Sequence, residues 1–186
     1  ESGYQYFDSL ERAKHPVVSR YCRRELWVVK AQMLMALDRH AEAVDYLNRA
    51  MALKDENNDP LSEIFCTATA GITYMGVDTI STRAESAFRR ACRVAERSGL
   101  SNYWLYPQAI GRLADIYLQQ GKYEESISLC REAIRLCEKS GSYHGKLVVA
   151  EILTEAYRLL GLYDEAFRYC AVGTGEPARA EVDNNL

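Results

Sequence analysis

The stretch IGRLADIYLQQGKYEESISLCREAI, residues 110–134, decides the fold. Leu113, Ala114 and Tyr117 fall on one face of a helix. Gly121 and Tyr123 then mark a turn, and Ser126, Cys130 and Ala133 follow at the spacing of a second helix face. Forty residues on, AEILTEAYRLLGLYDEAFRYCAVG at 150–173 repeats the pattern with Leu153, Thr154, Tyr157, Gly161, Tyr163, Ala166, Cys170 and Gly173.

Two earlier stretches carry it in weaker form. Residues 27–53 give Trp27, Ala31 and Leu34, then Ala43, Leu47 and Ala50; residues 67–95 give Gly71 and Tyr74, then Ala84, Phe88 and Ala91. The second-helix anchors Leu47, Phe88, Cys130 and Cys170 are 41, 42 and 40 residues apart. Between Gly71 and Ala84 there is one residue more than in the other copies, which predicts a longer turn. Each copy reads as a helical hairpin. Small residues facing each other (Ala31 and Ala43, Ala114 and Ser126, Thr154 and Ala166) let two antiparallel helices approach, and Tyr117 and Tyr157 fill the groove beside them. Gly121 and Gly161 stand where the first helix must end in a left-handed conformation. One hairpin cannot bury both faces alone, so neighbours stack.

This pattern resembles the tetratricopeptide repeat (TPR), in its longer variety with a period near 40, over about residues 24–173. Lys30 departs from it, where a large apolar residue is usual, and the Pro that often closes each repeat is missing. The resemblance implies an all-α, right-handed α-α superhelix of about four hairpins. The division is 1–23, the end of a preceding repeat; 24–59, 60–100, 101–142 and 143–175, four repeats; and 176–186, the start of a linking helix. About nine helices are expected, with hairpins starting near 24, 60, 103 and 143. In the linker ending at Pro60, Asp59 is the expected N-cap; Ser81 and Thr82 read as turn and N-cap residues before the next helix.

Composition narrows the function. Among 186 residues, 48% are hydrophobic, so the chain can bury a core; 23 basic and 26 acidic residues give a net charge of −3, which offers no phosphate-binding field. No stretch approaches the roughly 18 apolar residues of a membrane span. The chain begins at Glu1 without Met or a signal-like run, which suggests an excerpt of a longer protein. None of the six cysteines forms a C-x-x-C pair, and Cys130 and Cys137 lie roughly 10 Å apart along one helix, too far for a disulfide. Free thiols are expected, with Cys92, Cys130 and Cys170 buried at helix contacts. They favour a reducing, cytoplasmic compartment over a periplasmic one. His15, His40 and His144 are scattered, so no metal site, cofactor or catalytic cluster is expected. Tyr103, Trp104 and Tyr106 read as packing between repeats.

What remains is a non-enzymatic protein-interaction module. Long TPR arrays resemble sensory regions of bacterial histidine kinases and LuxR-type regulators, which implies a sensory or scaffold segment of a larger signalling or transcription-regulatory protein. The alternatives are an array that packs on a phosphatase or DNA-binding output domain of the same chain, and an enzyme. If the first helix of each hairpin lines a concave face, its stripe runs from Val28, Gln32 and Met35 to Ala68, Ile72 and Met75, then through Gly111, Asp115 and Leu118 to Glu151, Glu155 and Arg158. The first half is apolar and the second acidic. The expected ligand is a protein or peptide segment with apolar anchors followed by basic residues; the alternative is that the apolar half packs on a preceding N-terminal repeat or self-associates with a second copy. The stripe lacks the Lys/Asn clamp with which some TPR modules grip a C-terminal carboxylate, and no direct nucleic-acid binding is expected.

Overall fold

The computed structural model describes residues 2–12, 23–53, 59–77 and 82–174. They divide between two compact units, residues 1–100 and 101–186. The first holds α1 (Ser2–Arg12), α2 (Arg23–Ala36), α3 (His40–Ala52), α4 (Pro60–Val77) and α5 (Thr82–Arg97). The second holds α6 (Leu105–Gln119), α7 (Tyr123–Ser140), α8 (Tyr143–Leu159) and α9 (Tyr163–Thr174). No strand occurs among the described residues. Helices α2 and α3, α4 and α5, α6 and α7, and α8 and α9 form four hairpins, two in each unit. Cys22, His15, Ser81 and the linking helix expected over 176–186 lie outside the described residues.

The turns show why the chain reverses where it does. Asp38, Gly121 and Gly161 sit at the centre of three-residue links with φ of +57°, +74° and +74°. The next residue in each link donates its N–H back into the helix just ended: Arg39 to Leu34, Lys122 to Tyr117 and Leu162 to Tyr157, each at 2.9 Å. That bond satisfies a carbonyl the helix end leaves free. The same residue's carbonyl accepts the first bond of the following helix, from Ala43, Ser126 and Ala166. One short link therefore closes one helix and opens the next. Asp38 holds the left-handed position that glycine holds in the later copies, a conformation that Asp tolerates better than most residues. The longer turn expected between Gly71 and Ala84 falls on residues 78–81, which lie outside the described residues. Asp59 caps α4 as expected, its carboxylate accepting the Leu61 N–H at 3.0 Å.

The small residues do bring helices together. Ala31, Ala43, Ala84, Ala114, Ser126 and Ala133 are fully buried. In the second hairpin a Cβ on Gly71 would lie 2.7 Å from the Phe88 ring, so a full benzyl group on α5 is accommodated because α4 offers only a hydrogen. In the third, the Ser126 hydroxyl donates to the Ala114 carbonyl at 2.7 Å, fastening α7 to the backbone of α6.

Lys30 stands where later copies have Leu113 and Leu153, yet its side chain is completely buried. Its ammonium lies 3.3 Å from Asp8 of α1, donates to the Tyr46 hydroxyl at 3.0 Å and sits 4.5 Å from that ring's centre. A buried cation is tolerated only when neutralised and hydrogen-bonded, and α1 supplies the counter-charge. Arg24, also buried, donates to the Leu53 carbonyl at 2.6 Å and so caps α3. Glu25 accepts from the Ser62 hydroxyl, and Arg90 reaches both Glu63 at 2.8 Å and the Met51 carbonyl at 3.3 Å. These bonds tie α2, α3, α4 and α5 together.

Two outcomes test this packing. Gly71→Ala is expected to cost about 1–3 kcal/mol from overpacking against Phe88. In a Phe88→Leu background the same change becomes neutral or stabilising, because alanine is the better helix former by about 1 kcal/mol; denaturant unfolding of the four-member cycle measures the coupling. For the buried ion pair, Asp8→Ala strands the ammonium and is expected to cost about 1–3 kcal/mol. Lys30→Met removes the charge and fills the space, and stays within about 1 kcal/mol of the parent. Equal losses from the two would show that Lys30 is not held by Asp8.

Candidate functional site

The stripe expected to face a ligand splits in two. Val28 and Ala68 are buried, as is Gly111. The neighbouring first helix covers them: α2 packs on α4 and α6 on α8, and a Cβ on Gly111 would lie 3.0 Å from a Val149 methyl. Val28 and Ala68 are therefore corrected from ligand-facing to packing residues. One and two turns further along the same helices the side chains reach solvent. Gln32 and Ile72 are exposed, while Met35, Met75, Asp115 and Leu118 are half-buried. The Met35 methyl would lie 3.1 Å from a Cβ on Gly76, so α2 and α4 present one continuous surface there.

In the second unit the acidic half is less free than its sequence implies. Arg158 donates two 2.6 Å bonds to the Glu155 carboxylate, which holds Glu155 below the usual carboxylate range and pushes Arg158 up. Asp115 accepts from the Gln119 amide at 3.1 Å. Glu151 is exposed and has no polar partner among the described residues. On the far side of α8, Arg131 donates to the Tyr157 hydroxyl at 2.6 Å, and the Tyr157 ring stacks on Tyr169 with centres 5.7 Å apart. Between α6 and α8 opens a cleft of about 120 Å³ whose rim includes Arg112. The stripe touched it only at Gly111: Gln108 and Val148 continue its spacing one turn before the stripe begins, and Arg112 lies one residue off it. Gly111 and Gly145 inside helices were the available signal: they mark where backbones come close.

The aromatic cluster divides as well. Tyr106 is buried, but Trp104 is 54% exposed and meets Tyr103 edge-on at 6.1 Å, so Trp104 is a surface residue. Among the described residues no group of His, Cys, Asp and Glu is arranged to hold a metal ion. No described helix is long and apolar enough to cross a membrane. Cys66, Cys92, Cys130, Cys137 and Cys170 are free thiols. Four are buried; Cys170 is exposed, correcting the expectation that it packs at a helix contact. Its helix α9 packs on α8 and on no other described element.

Burial pushes the Cys130 thiol up to about 12 from an ordinary value of 9.0, and raises Cys137, Tyr74 and Tyr157 too. Each of these groups is neutral when protonated, and the fold holds the proton more tightly than the unfolded chain does. Their contribution is complete below the ordinary values and is lost as pH rises toward the folded ones. Thermal stability should therefore fall steadily above pH 9, with a shallower slope in Cys130→Ala. In a Cys22→Ser chain at pH 8, a disulfide reagent such as DTNB should modify Cys170 at once and the four buried thiols only on unfolding. Immediate modification of Cys130 would contradict the packing described.

The tetratricopeptide repeat family matches residues 25–57 and 106–169, together just over half of the chain. Among curated proteins no sequence matches. Solved structures share the fold at low identity. A Signal Transduction ATPase with Numerous Domains (STAND) protein with a tetratricopeptide repeat sensor, from Pyrococcus horikoshii, is 20% identical with a TM-score of 0.72 over 89% of this chain, which spans only 25% of that one. A putative kinesin light chain with nearly identical TPR-like repeats, from Podosopora anserina, is 18% identical with a TM-score of 0.75, covering 93% of this chain and 84% of that one. BtubC (BKLC) from P. vanneervenii is 14% identical with a TM-score of 0.57, covering 100% and 95%. The repeats read at residues 27–53 and 110–173, the hairpins they form and the family matches over both stretches agree: the chain belongs to the tetratricopeptide-repeat family.

Proposed function

We propose that the chain is a non-enzymatic protein-interaction module, the sensory or scaffold segment of a larger signalling or transcription-regulatory protein. The observation that carries this reading is the split within each first helix. One set of residues, Val28 and Ala68, is committed to packing, while Ile72, Met35 and Met75, with the exposed amide of Gln32 beside them, present a largely apolar surface that the hairpins do not need for their own closure. Methionines suit such a surface because they adapt to a partner's shape. Glu151, left without a polar partner among the described residues, supplies a carboxylate for a basic residue of the ligand. The sensor named for the Pyrococcus horikoshii protein supports the signalling context by analogy of fold.

A second reading, that the array packs on an output domain of its own chain, draws support from the last hairpin. Leu159, Leu162, Tyr163 and Phe167 are exposed there, Phe167 by 77%. Such a surface on one hairpin fits permanent cover better than transient peptide capture.

Photo-crosslinking separates the two. A benzophenone side chain at position 72 or 151 of the full-length chain should capture a separate protein, and one at position 167 should not. Against that captured protein, Ile72→Asp with Glu151→Lys should weaken binding at least tenfold while the melting temperature stays nearly unchanged, because exposed positions contribute little to folding. Undiminished affinity would move the site off the first-helix face. Capture at 167 of another segment of the same chain would favour the second reading.

A further inference from the structure

We infer that the cleft between α6 and α8 is a subsite for one glutamate side chain of a bound peptide, with Arg112 as its counter-ion. The inference rests on the interaction reading above and names a chemistry that reading does not. The cleft encloses about 120 Å³. An apolar cavity of roughly 150 Å³ holds a benzene, so the space takes one side chain and is too small for a cofactor, whose sites run to about 300 Å³ or more. Pro107, Val148 and Val149 give it apolar walls that suit methylene groups. Packing already accounts for the glycines lining it: a Cβ on Gly111 would press on Val149, and one on Gly145 would lie 3.0 Å from the Cys137 sulfur. The walls are therefore close-packed rather than collapsible.

The polar groups at the rim define the ligand. Arg112 is half-buried, yet it has neither an ion pair nor a hydrogen bond among the described residues. Arg83, Arg93 and Arg97 also lack such bonds, but they are exposed and hydrated. The half-buried Arg90, by contrast, is bonded to Glu63 at 2.8 Å. Lys146, beside Gly145, is already engaged by Glu138 at 2.7 Å, and Asp115, one turn beyond Arg112, is engaged by Gln119. Arg112 is thus the cation left for a ligand, and its planar fork matches a carboxylate with two parallel bonds. Gln108, one turn earlier, adds an amide donor. The apolar walls favour glutamate, whose two methylenes fill the cleft while its carboxylate stays at the rim.

The test uses the whole chain, ¹⁵N-labelled, and two defined probes: acetyl-Ala-Glu-Val-Ala-amide and its Gln counterpart. The Glu peptide should shift the amide signals of Gln108, Gly111, Arg112 and Gly145 saturably in the millimolar range. The Gln peptide should bind at least tenfold more weakly, and the difference should shrink with added salt. Arg112→Gln should erase the preference with an unchanged melting temperature, and Arg112→Lys should keep part of it. Equal binding of the two peptides, shifts confined to other residues, or a preference that survives Arg112→Gln would each overturn the assignment. A captured partner that depends on Ile72 and Glu151 but not on Arg112 would leave the interaction reading standing without this subsite.

Discussion

Everything in this chain depends on how closely two helices of a hairpin can approach. The limit is set at a few positions by the smallest side chains available. At Gly71 the absence of a single methyl group makes room for the Phe88 ring. At Ala114 the backbone carbonyl is near enough to accept the Ser126 hydroxyl. Protein interiors tolerate neither voids nor overlap, so size on one helix must be matched by its lack on the other. The three-residue links then follow, because only a turn with a left-handed centre brings the second helix back at that spacing.

The same constraint explains what sequence reading recovers. Small residues recur in every copy, and turn glycines in the last two, because geometry demands them there, so four hairpins, their starts and the Asp59 cap were legible. Properties that depend on a neighbour in space were not. Val28 and Ala68 occupy the expected helix face, but whether that face is open depends on the adjacent first helix. Lys30 looked like a break in the pattern; its partner Asp8 lies 22 residues away on α1. Cys170 matches Cys130 in register and differs in exposure, because α7 is covered by α8 and α9 has no such neighbour among the described elements. The α6–α8 cleft is a property of two helices together, and no single-helix stripe contains it.

Charge is used differently inside and outside the hairpins. Within the first unit Lys30, Arg24 and Arg90 spend their hydrogen bonds on other helices or their ends and fix how helices meet. On the surface most ion pairs join residues three or four apart on one helix, such as Arg49 with Asp45 and Arg158 with Glu155, and contribute little to stability. A surface of self-paired charges leaves few groups for a ligand. On the first-helix surface, Ile72, Glu151 and Arg112 are among the side chains that the fold neither buries completely nor pairs with a polar neighbour among the described residues.

Native-state hydrogen exchange tests most directly the claim that stability resides at the hairpin crossings and not on the first-helix surface. Within the first three hairpins the amides of Ala31, Leu47, Gly71, Phe88, Ala114 and Cys130 should exchange slowest, at rates set by cooperative opening of their unit. Ile72→Asp and Glu151→Lys should leave those rates unchanged, while Gly71→Ala should accelerate them across the first unit. Slowest exchange elsewhere, or rates at the crossings that respond to the surface substitutions, would contradict the account.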